Sequence, residues 1–186
     1  VKEFSLKIGT ALKRMEQLIQ SMLKITRIDA GSISFEKSNY SIPNIINHAI
    51  SELTTRADNE KKEIVIDGDL EQMLYCDIDW TGEAIGNIIK NALDHTDTGG
   101  KISISWEQTP AMIRIFITDN GHGISQEDIH HIFKRFYRSK NTSESQGIGL
   151  GLPLAKAIVE GQGGILSVQS ERLQGTTFTL SFLTES

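Results

Sequence analysis

The sequence has a single cysteine, Cys76. No internal disulfide and no paired-cysteine zinc site can form from one thiol. Within Met73-Leu74-Tyr75-Cys76 it reads as a small core residue. No apolar run approaches the ~20 residues of a membrane-spanning helix, and no signal peptide opens the chain. A soluble, cytoplasmic fragment is therefore expected. Its parent can still be membrane-bound, because Val1 lacks a start Met and lies within a helical pattern. Lys/Arg-dense runs are missing and the formal net charge is -5, so the electrostatic footprint of a nucleic-acid binder is absent. There is no internal repeat and no low-complexity tract. Across 186 residues, 38% are apolar and 23% charged. That composition supports a packed core, in one domain or one domain with a helical appendage.

The pattern over residues 2–29 predicts one long helix. Ala11, Leu12, Met15, Leu18, Ile19, Met22, Leu23, Ile25 and Ile28 form a broad apolar stripe at helical spacing. Gly31 is a plausible left-handed stop. Such a helix needs a partner helix to cover its stripe. Residues 33–40 read as a short strand or connector. Ser41-Ile42-Pro43 opens a helix to about Asn59, with Ser41 as its cap. Ile64–Ile66 and Met73–Cys76 are strands, and Asp77 or Asp79 caps a helix to about His95. Residues 102–106 and 113–117 alternate and read as a hairpin, as do 165–170 and 176–182. Between the hairpins, Ser125 caps a short helix and another runs from about Leu150 to Glu160. The sum is an α+β fold: a two-layer α/β sandwich whose mixed, mostly antiparallel sheet is covered by helices on one face, preceded by the long amphipathic helix.

Four stretches carry candidate chemistry. Asn87 and Asn91 lie four apart on one face of a helix otherwise covered by Ile88, Ile89, Ala92 and Leu93. Asparagine is a poor mid-helix residue, so two on one face suggest a ligand-facing stripe; a solvated face is the plain alternative. Asp119-Asn120-Gly121-His122-Gly123 follows an apolar strand. A carboxylate there can accept from an exocyclic amine, although Asp-Asn-Gly is also a common turn. Gly147-Ile148-Gly149-Leu150-Gly151-Leu152 opens a helix, where free N–H groups and the helix dipole favour phosphate. The segment before it, 139–146, has no apolar residue and reads as a mobile lid. In Phe133-Lys134-Arg135-Phe136-Tyr137-Arg138 the aromatics read as core, and Arg135, Arg138 and Lys140 as cations able to approach a triphosphate. Each stretch alone is a weak signal.

Together, in this order and spacing, they resemble the histidine-kinase branch of the superfamily that also holds gyrase-type and chaperone ATPases. Residues 87–96 resemble its N box, 119–124 its first glycine box, 133–138 its F box, 147–152 its second glycine box, and Gly175-Thr176-Thr177-Phe178 a terminal glycine motif. The resemblance covers about residues 40–186. Residues 1–31 are similar to the second helix of the family's dimerisation hairpin, leaving 32–186 as the ATP-binding catalytic domain.

This resemblance implies ATP and Mg2+ as ligands. Asn91 should hold the metal and Asn87 should lie near it or the phosphates. Asp119 should recognise the adenine amino group, with Gly121 and Gly123 giving the ring room, and His95, at a position often aromatic in the family, should stack on adenine. Gly147, Gly149 and Gly151, with Leu152 behind them, should wrap the triphosphate, helped by Arg138 and Lys140. Asn87 stands where water-splitting members carry a catalytic Glu; an amide cannot act as a general base, which favours phosphoryl transfer over hydrolysis. The implied partners are an acceptor-helix histidine of the same kinase, a second subunit in a homodimer, and a response regulator.

Two features depart from the family. Asp94 occupies a usually basic, phosphate-facing position, for which Lys90, Arg138 or Lys140 could compensate. None of His48, His95, His122, His130 and His131 has the context of the phospho-acceptor, whose helix is expected to precede Val1. His48, His130 and His131 read as surface or satisfied residues. A non-catalytic nucleotide module, and a Ser/Thr kinase or ATPase of the same superfamily, remain the alternatives.

Overall fold

The computed structural model describes residues 2–139 and 147–184, with side chains from residue 7 onward. Its main sheet has five strands: β2 (Glu63–Asp67), β4 (Lys101–Gln108), β5 (Met112–Asp119), β6 (Ile165–Glu171) and β7 (Gly175–Leu183). Their order is β2-β4-β5-β7-β6; the β2–β4 pair is parallel and the others antiparallel. β1 (Ser38–Ser41) and β3 (Met73–Cys76) form a separate antiparallel pair. The α+β sandwich expected from the sequence is the fold observed.

Strand alternation sends one face inward. Ile104, Ile117 and Phe178 share a row across β4, β5 and β7, followed by Trp106, Ile115 and Leu180. The next row in the other direction is Ile102, Asp119 and Thr176, so a carboxylate takes a core-facing place at the sheet's end. Ser and Thr dominate the opposite face, where Thr118 and Thr177 share a hydroxyl hydrogen bond of 2.9 Å. Helix α4 (Ile78–His95) and helix α6 (Gly151–Gly161) cover the apolar face with Ile85, Ile88, Ile89, Leu93, Leu154 and Ile158. Asp77 caps α4, accepting from Asp79 N and Trp80 N at 3.2 Å. Buried Cys76 sits in this core, and burial pushes its thiol up to about 11.

Two expectations need correction. The helix foreseen from 42 to 59 is broken into α2 (Ile42–Ile50) and α3 (Leu53–Asn59). At the break, Ser51 Oγ donates to His48 O at 3.2 Å and Thr54 Oγ1 to Ser51 O at 3.4 Å; such hydroxyls compete for backbone carbonyls. Ser41 stands at the N-cap of α2, but its side chain makes no cap hydrogen bond. Ile42 N instead donates to Gln72 O at 2.9 Å, which ties the helix start to β3.

Helix α1 (Lys2–Asp29) ends at Gly31, whose φ is 63°. Its apolar stripe divides. Ile25 is fully buried, with Leu18, Met22 and Ile28 packed on the core. Ile8, Leu12, Met15, Ile19 and Leu23 stay exposed, at 45–61%. Lys24 pairs with Glu83 of α4 at 2.6 Å, and Asp29 with Arg135. No helix among the described residues is long and apolar enough to cross a membrane.

Buried Gln162 joins three segments. Its Oε1 accepts from Asp77 N at 2.8 Å, its Nε2 donates to Thr81 Oγ1 at 3.0 Å, and its carbonyl accepts from Lys37 Nζ at 2.5 Å. Gln162→Leu leaves the Asp77 N–H and Thr81 hydroxyl without those partners. It is expected to lower the unfolding free energy by about 1–3 kcal/mol in urea titrations; an unchanged midpoint would mean that water replaces the amide.

Candidate functional site

A cleft of about 370 Å³ opens where the C-terminal end of α4, the loop after β5, the start of α6 and the β6–β7 turn converge. Of the residues singled out in the sequence, Asn91, His95, Asp119, Gly123, Arg138, Gly147, Gly149 and Leu152 line it. Asn87 and Gly151 do not; they line a larger groove running along α1, to which Asn91, Gly147 and Leu152 also contribute. Gly121 is buried and does not line the cleft. Lys140, with residues 140–146 of the expected lid, lies outside the described residues.

Asp119 ends β5 and is 4% exposed. Its Oδ1 accepts from Gly121 N at 2.9 Å. Burial raises its carboxyl above the ordinary range, and hydrogen bonds from the Gly121 and Thr176 backbones, with nearby His122, oppose this only in part. The surrounding backbone is close-packed. A Cβ on Gly175 (φ 95°) would fall 1.9 Å from Asp119 O, and one on Gly121 2.1 Å from His95 O. Neither position has space for a side chain. His122 O accepts from Leu173 N at 2.7 Å, binding the loop to the β6–β7 turn. His95 is half-buried; burial lowers its pKa, Asp94 raising it and His122 lowering it further, so the ring favours its neutral form.

On α4, Asn87, Asn91 and Asp94 recur at helical spacing and share a face. Asn87 Nδ2 donates to Glu83 O at 3.0 Å, and its Oδ1 would meet a Cβ on Gly151 at 3.3 Å. The asparagine face and the glycine-opened start of α6 are therefore neighbours. Asn91 makes no side-chain hydrogen bond among the described residues. Gly149 (φ 76°) accepts at its carbonyl from Phe136 N at 2.9 Å, and a Cβ there would sit 2.7 Å from Tyr137 O.

Several expectations change. Asp94 is paired with Arg56 of α3, Nη2 2.6 Å from Oδ1, a partner outside the foreseen set of Lys90, Arg138 and Lys140, of which Lys140 lies outside the described residues. Arg135 is engaged with Asp29 of α1. Phe136 is not core: it is 53% exposed with φ 62°, turned outward by its backbone bond to Gly149. Phe133 does pack inward, edge-on to Phe178 at 6.3 Å. His48 pairs with Asp79 at 3.2 Å, whereas the buried Nδ1 of His131 has no partner among the described residues; its ring lies tilted against Tyr137 at 5.4 Å.

Sequence reading missed Asp128, Tyr137, Ser139, Arg172 and Leu173 as cleft walls. Asp128 accepts from the Tyr137 hydroxyl and from Ser139 Oγ (2.7 Å), which hold its carboxyl below the ordinary range. The Ser125-x-x-Asp128 cap was a legible hint of this wall. Nothing local marks Arg172 and Leu173; the hairpin brings them there. No group of three or more His, Cys, Asp or Glu among the described residues could hold a metal ion. The donor set suits a hard cation taking one oxygen from Asn91 and the rest from a ligand and water.

A family model described as "Histidine kinase-, DNA gyrase B-, and HSP90-like ATPase" matches residues 76–186. The chain is 34% identical over 174 residues to the heme sensor protein HssS of Staphylococcus saprophyticus, covering 91% of this chain and 36% of that protein. It thus spans about a third of the length of the curated relatives it matches. Among solved structures, histidine kinase AdeS of Acinetobacter baumannii superposes with a TM-score of 0.84 at 19% identity, covering 100% of this chain and 86% of that one. Histidine kinase ThkA in complex with response regulator protein TrrA gives 0.77 at 20%, covering 99% and 51%. At these identities the superpositions speak for the fold.

The Asp119 environment fixes a sign. A carboxyl raised by folding contributes most to stability below its unfolded value of about 3.9, and that contribution is lost as pH rises through the folded value. Asp119→Asn keeps an acceptor for Gly121 N–H without the charge. It is expected to melt no lower than wild type at pH 7 and to lack this component of the pH dependence. A clearly lower melting temperature at pH 7 would show instead that the charge itself holds the loop.

Proposed function

Because this chain belongs to the histidine kinase-, DNA gyrase B- and HSP90-like ATPase family, we propose that residues 32–186 are the ATP-binding catalytic domain of a sensor histidine kinase and residues 1–31 part of its dimerisation hairpin. The observation that carries this reading is a buried carboxylate, Asp119, in a cleft that Asn91, Gly147 and Gly149 also line. A carboxylate held below solvent selects a donor such as the adenine amino group, because an unmatched ligand would leave it unpaired. The neutral His95 ring is suited to stack on the base. Gly147, Gly149 and Gly151, at the positive end of the α6 dipole, would receive the phosphates, with Arg138 and Lys140 as cations.

Asn91 would hold Mg2+, and Asn87 lies beside it toward Gly151. The metal would supply charge neutralisation across the phosphate oxygens. The residues of this chain orient the γ-phosphoryl group. A ring nitrogen of the acceptor histidine attacks phosphorus, the bond to the bridging oxygen breaks, and ADP departs. Positioning supplies most of the rate in such a transfer. The amide of Asn87 cannot activate water, which supports transfer to a side chain over hydrolysis.

The exposed row Ile8, Leu12, Met15, Ile19 and Leu23 supports pairing of α1 with the acceptor helix and with a second subunit in a homodimer. A response regulator as onward acceptor is supported by the ThkA complex. The parent protein, some three times the length of this chain if it resembles its relatives, is read as a membrane-anchored sensor that presents this part to the cytoplasm.

The test is calorimetry with Mg-ATP on wild type and Asn91→Ala, followed by labelled ATP and a polypeptide carrying the parent's acceptor helix. Micromolar-range binding is expected, weakened about tenfold or more by the substitution, with acid-labile label on the added helix. Binding without transfer would reduce the domain to a nucleotide-gated regulatory module, and no binding would remove the nucleotide reading.

A further inference from the structure

The polar face of α4 ends in a carboxylate. Asp94 lines both the cleft and the groove beside α1, as do Asn91, Gly147 and Leu152. A polyanion reaching Asn91 therefore passes next to a negative charge three residues along the same helix face. An uncompensated carboxylate at that distance would oppose it.

The compensation is a fixed chain of four charged groups. Asp94 Oδ1 meets Arg56 Nη2 at 2.6 Å, and Arg56 Nε donates to Glu60 Oε1 at 2.6 Å. Glu60 Oε2 in turn meets Lys62 Nζ at 2.6 Å, and Lys62 Nζ donates to Leu93 O at 2.7 Å. The Lys62 side chain is only 10% exposed. Two cations offset two carboxylates, and the last link returns to α4 one residue before Asp94. Burial works against the charge on both Arg56 and Glu60, yet their mutual hydrogen bonds and those to Asp94 and Lys62 hold Arg56 above and Glu60 below its ordinary value. An isolated exposed ion pair contributes little to stability. A chain anchored at both ends on one helix turn does something else: it holds a guanidinium against Asp94. Arg56 also lines the groove.

We propose that Arg56 is a positioning residue for anionic ligands: acting through Asp94, it makes the end of α4 electrically tolerant of the phosphate-bearing part of a nucleotide. The inference rests on the nucleotide reading above and adds to it the residue that sets phosphate tolerance. Its signature is selectivity by ligand charge. Loss of Arg56 penalises ATP but not adenosine, which carries the same base without phosphate, and removing the Asp94 charge as well cancels the penalty.

Binding of Mg-ATP and of adenosine would be measured on wild type, Arg56→Met, Arg56→Lys and the double variant Arg56→Met/Asp94→Asn, with melting temperatures recorded for each. Arg56→Met is expected to weaken Mg-ATP on the order of fivefold at low salt and adenosine less than about twofold, the gap narrowing as salt rises. Arg56→Lys, which keeps the charge, and the double variant should both bind ATP within about twofold of wild type. Equal losses for ATP and adenosine, or a double variant no better than Arg56→Met, would overturn the proposal and make Arg56 a purely structural tie. A wild type that binds adenosine but gains nothing from the triphosphate would remove the phosphate reading itself, and this inference with it.

Discussion

A carboxylate placed in a core row of a sheet imposes most of the local architecture around it. Asp119 continues the row that begins with Ile102 and ends with Thr176. Burying its charge is costly unless donors surround it, and here they are backbone N–H groups of Gly121 and Thr176. To bring them close, the loop after β5 passes within van der Waals distance of the end of α4, and the start of β7 passes equally close to the Asp119 carbonyl. Those approaches leave no room for a side chain at Gly121 or Gly175. The glycines, the helix terminus and the hairpin turn are thus consequences of one buried acceptor. A carboxylate has more acceptor sites than these two backbone donors fill, so Asp119 can still take a donor from a ligand.

The electrostatics of α4 follow a different logic. Its inner face is apolar throughout, from Ile85 to Leu93, and seals the core against the sheet. Its outer face carries Glu83, Asn87, Asn91 and Asp94 in succession. Both carboxylates on it are met by cations from neighbouring helices: Lys24 of α1 at Glu83, and Arg56 of α3 at Asp94. Between these two paired ends stand the two amides and the cation Lys90, which lines the same groove. That distribution leaves no unpaired carboxylate at Glu83 or Asp94 to oppose a phosphate there.

Helix α1 links this surface to whatever lies beside it. Ile25, Met22 and Ile28 seat it on α6, and the Lys24–Glu83 and Asp29–Arg135 pairs hold its two sides. The remaining apolar row faces outward. One helix therefore belongs to two interfaces, and the groove along it adjoins the cleft through Asn91, Asp94, Gly147 and Leu152.

Periodicity alone was enough for the long helix, the two hairpins, the helix to His95 and the α+β class, because helices and half-buried strands write their burial into a spacing of about 3.6 or 2. Residue order also singled out Asn91, Asp119, Gly123, Gly147 and Gly149, which line one cleft. What it left open was decided by contacts between distant segments. The break at Ser51 depends on hydroxyls bonding to local carbonyls against the helical pattern. The parallel pairing of β2 with β4 is a choice between sheet edges that a short apolar run does not record. Phe136 is outside because a backbone bond to Gly149 turns it there, although its side chain suits the core. Most clearly, nothing near Asp94 in the chain reveals that Arg56, 38 residues earlier, neutralises it. Local sequence carries the period of burial and the identity of the chemical groups; which charges meet, and which walls close a cleft, is set by tertiary packing, since those energies exist only once remote side chains are within a few ångströms of one another.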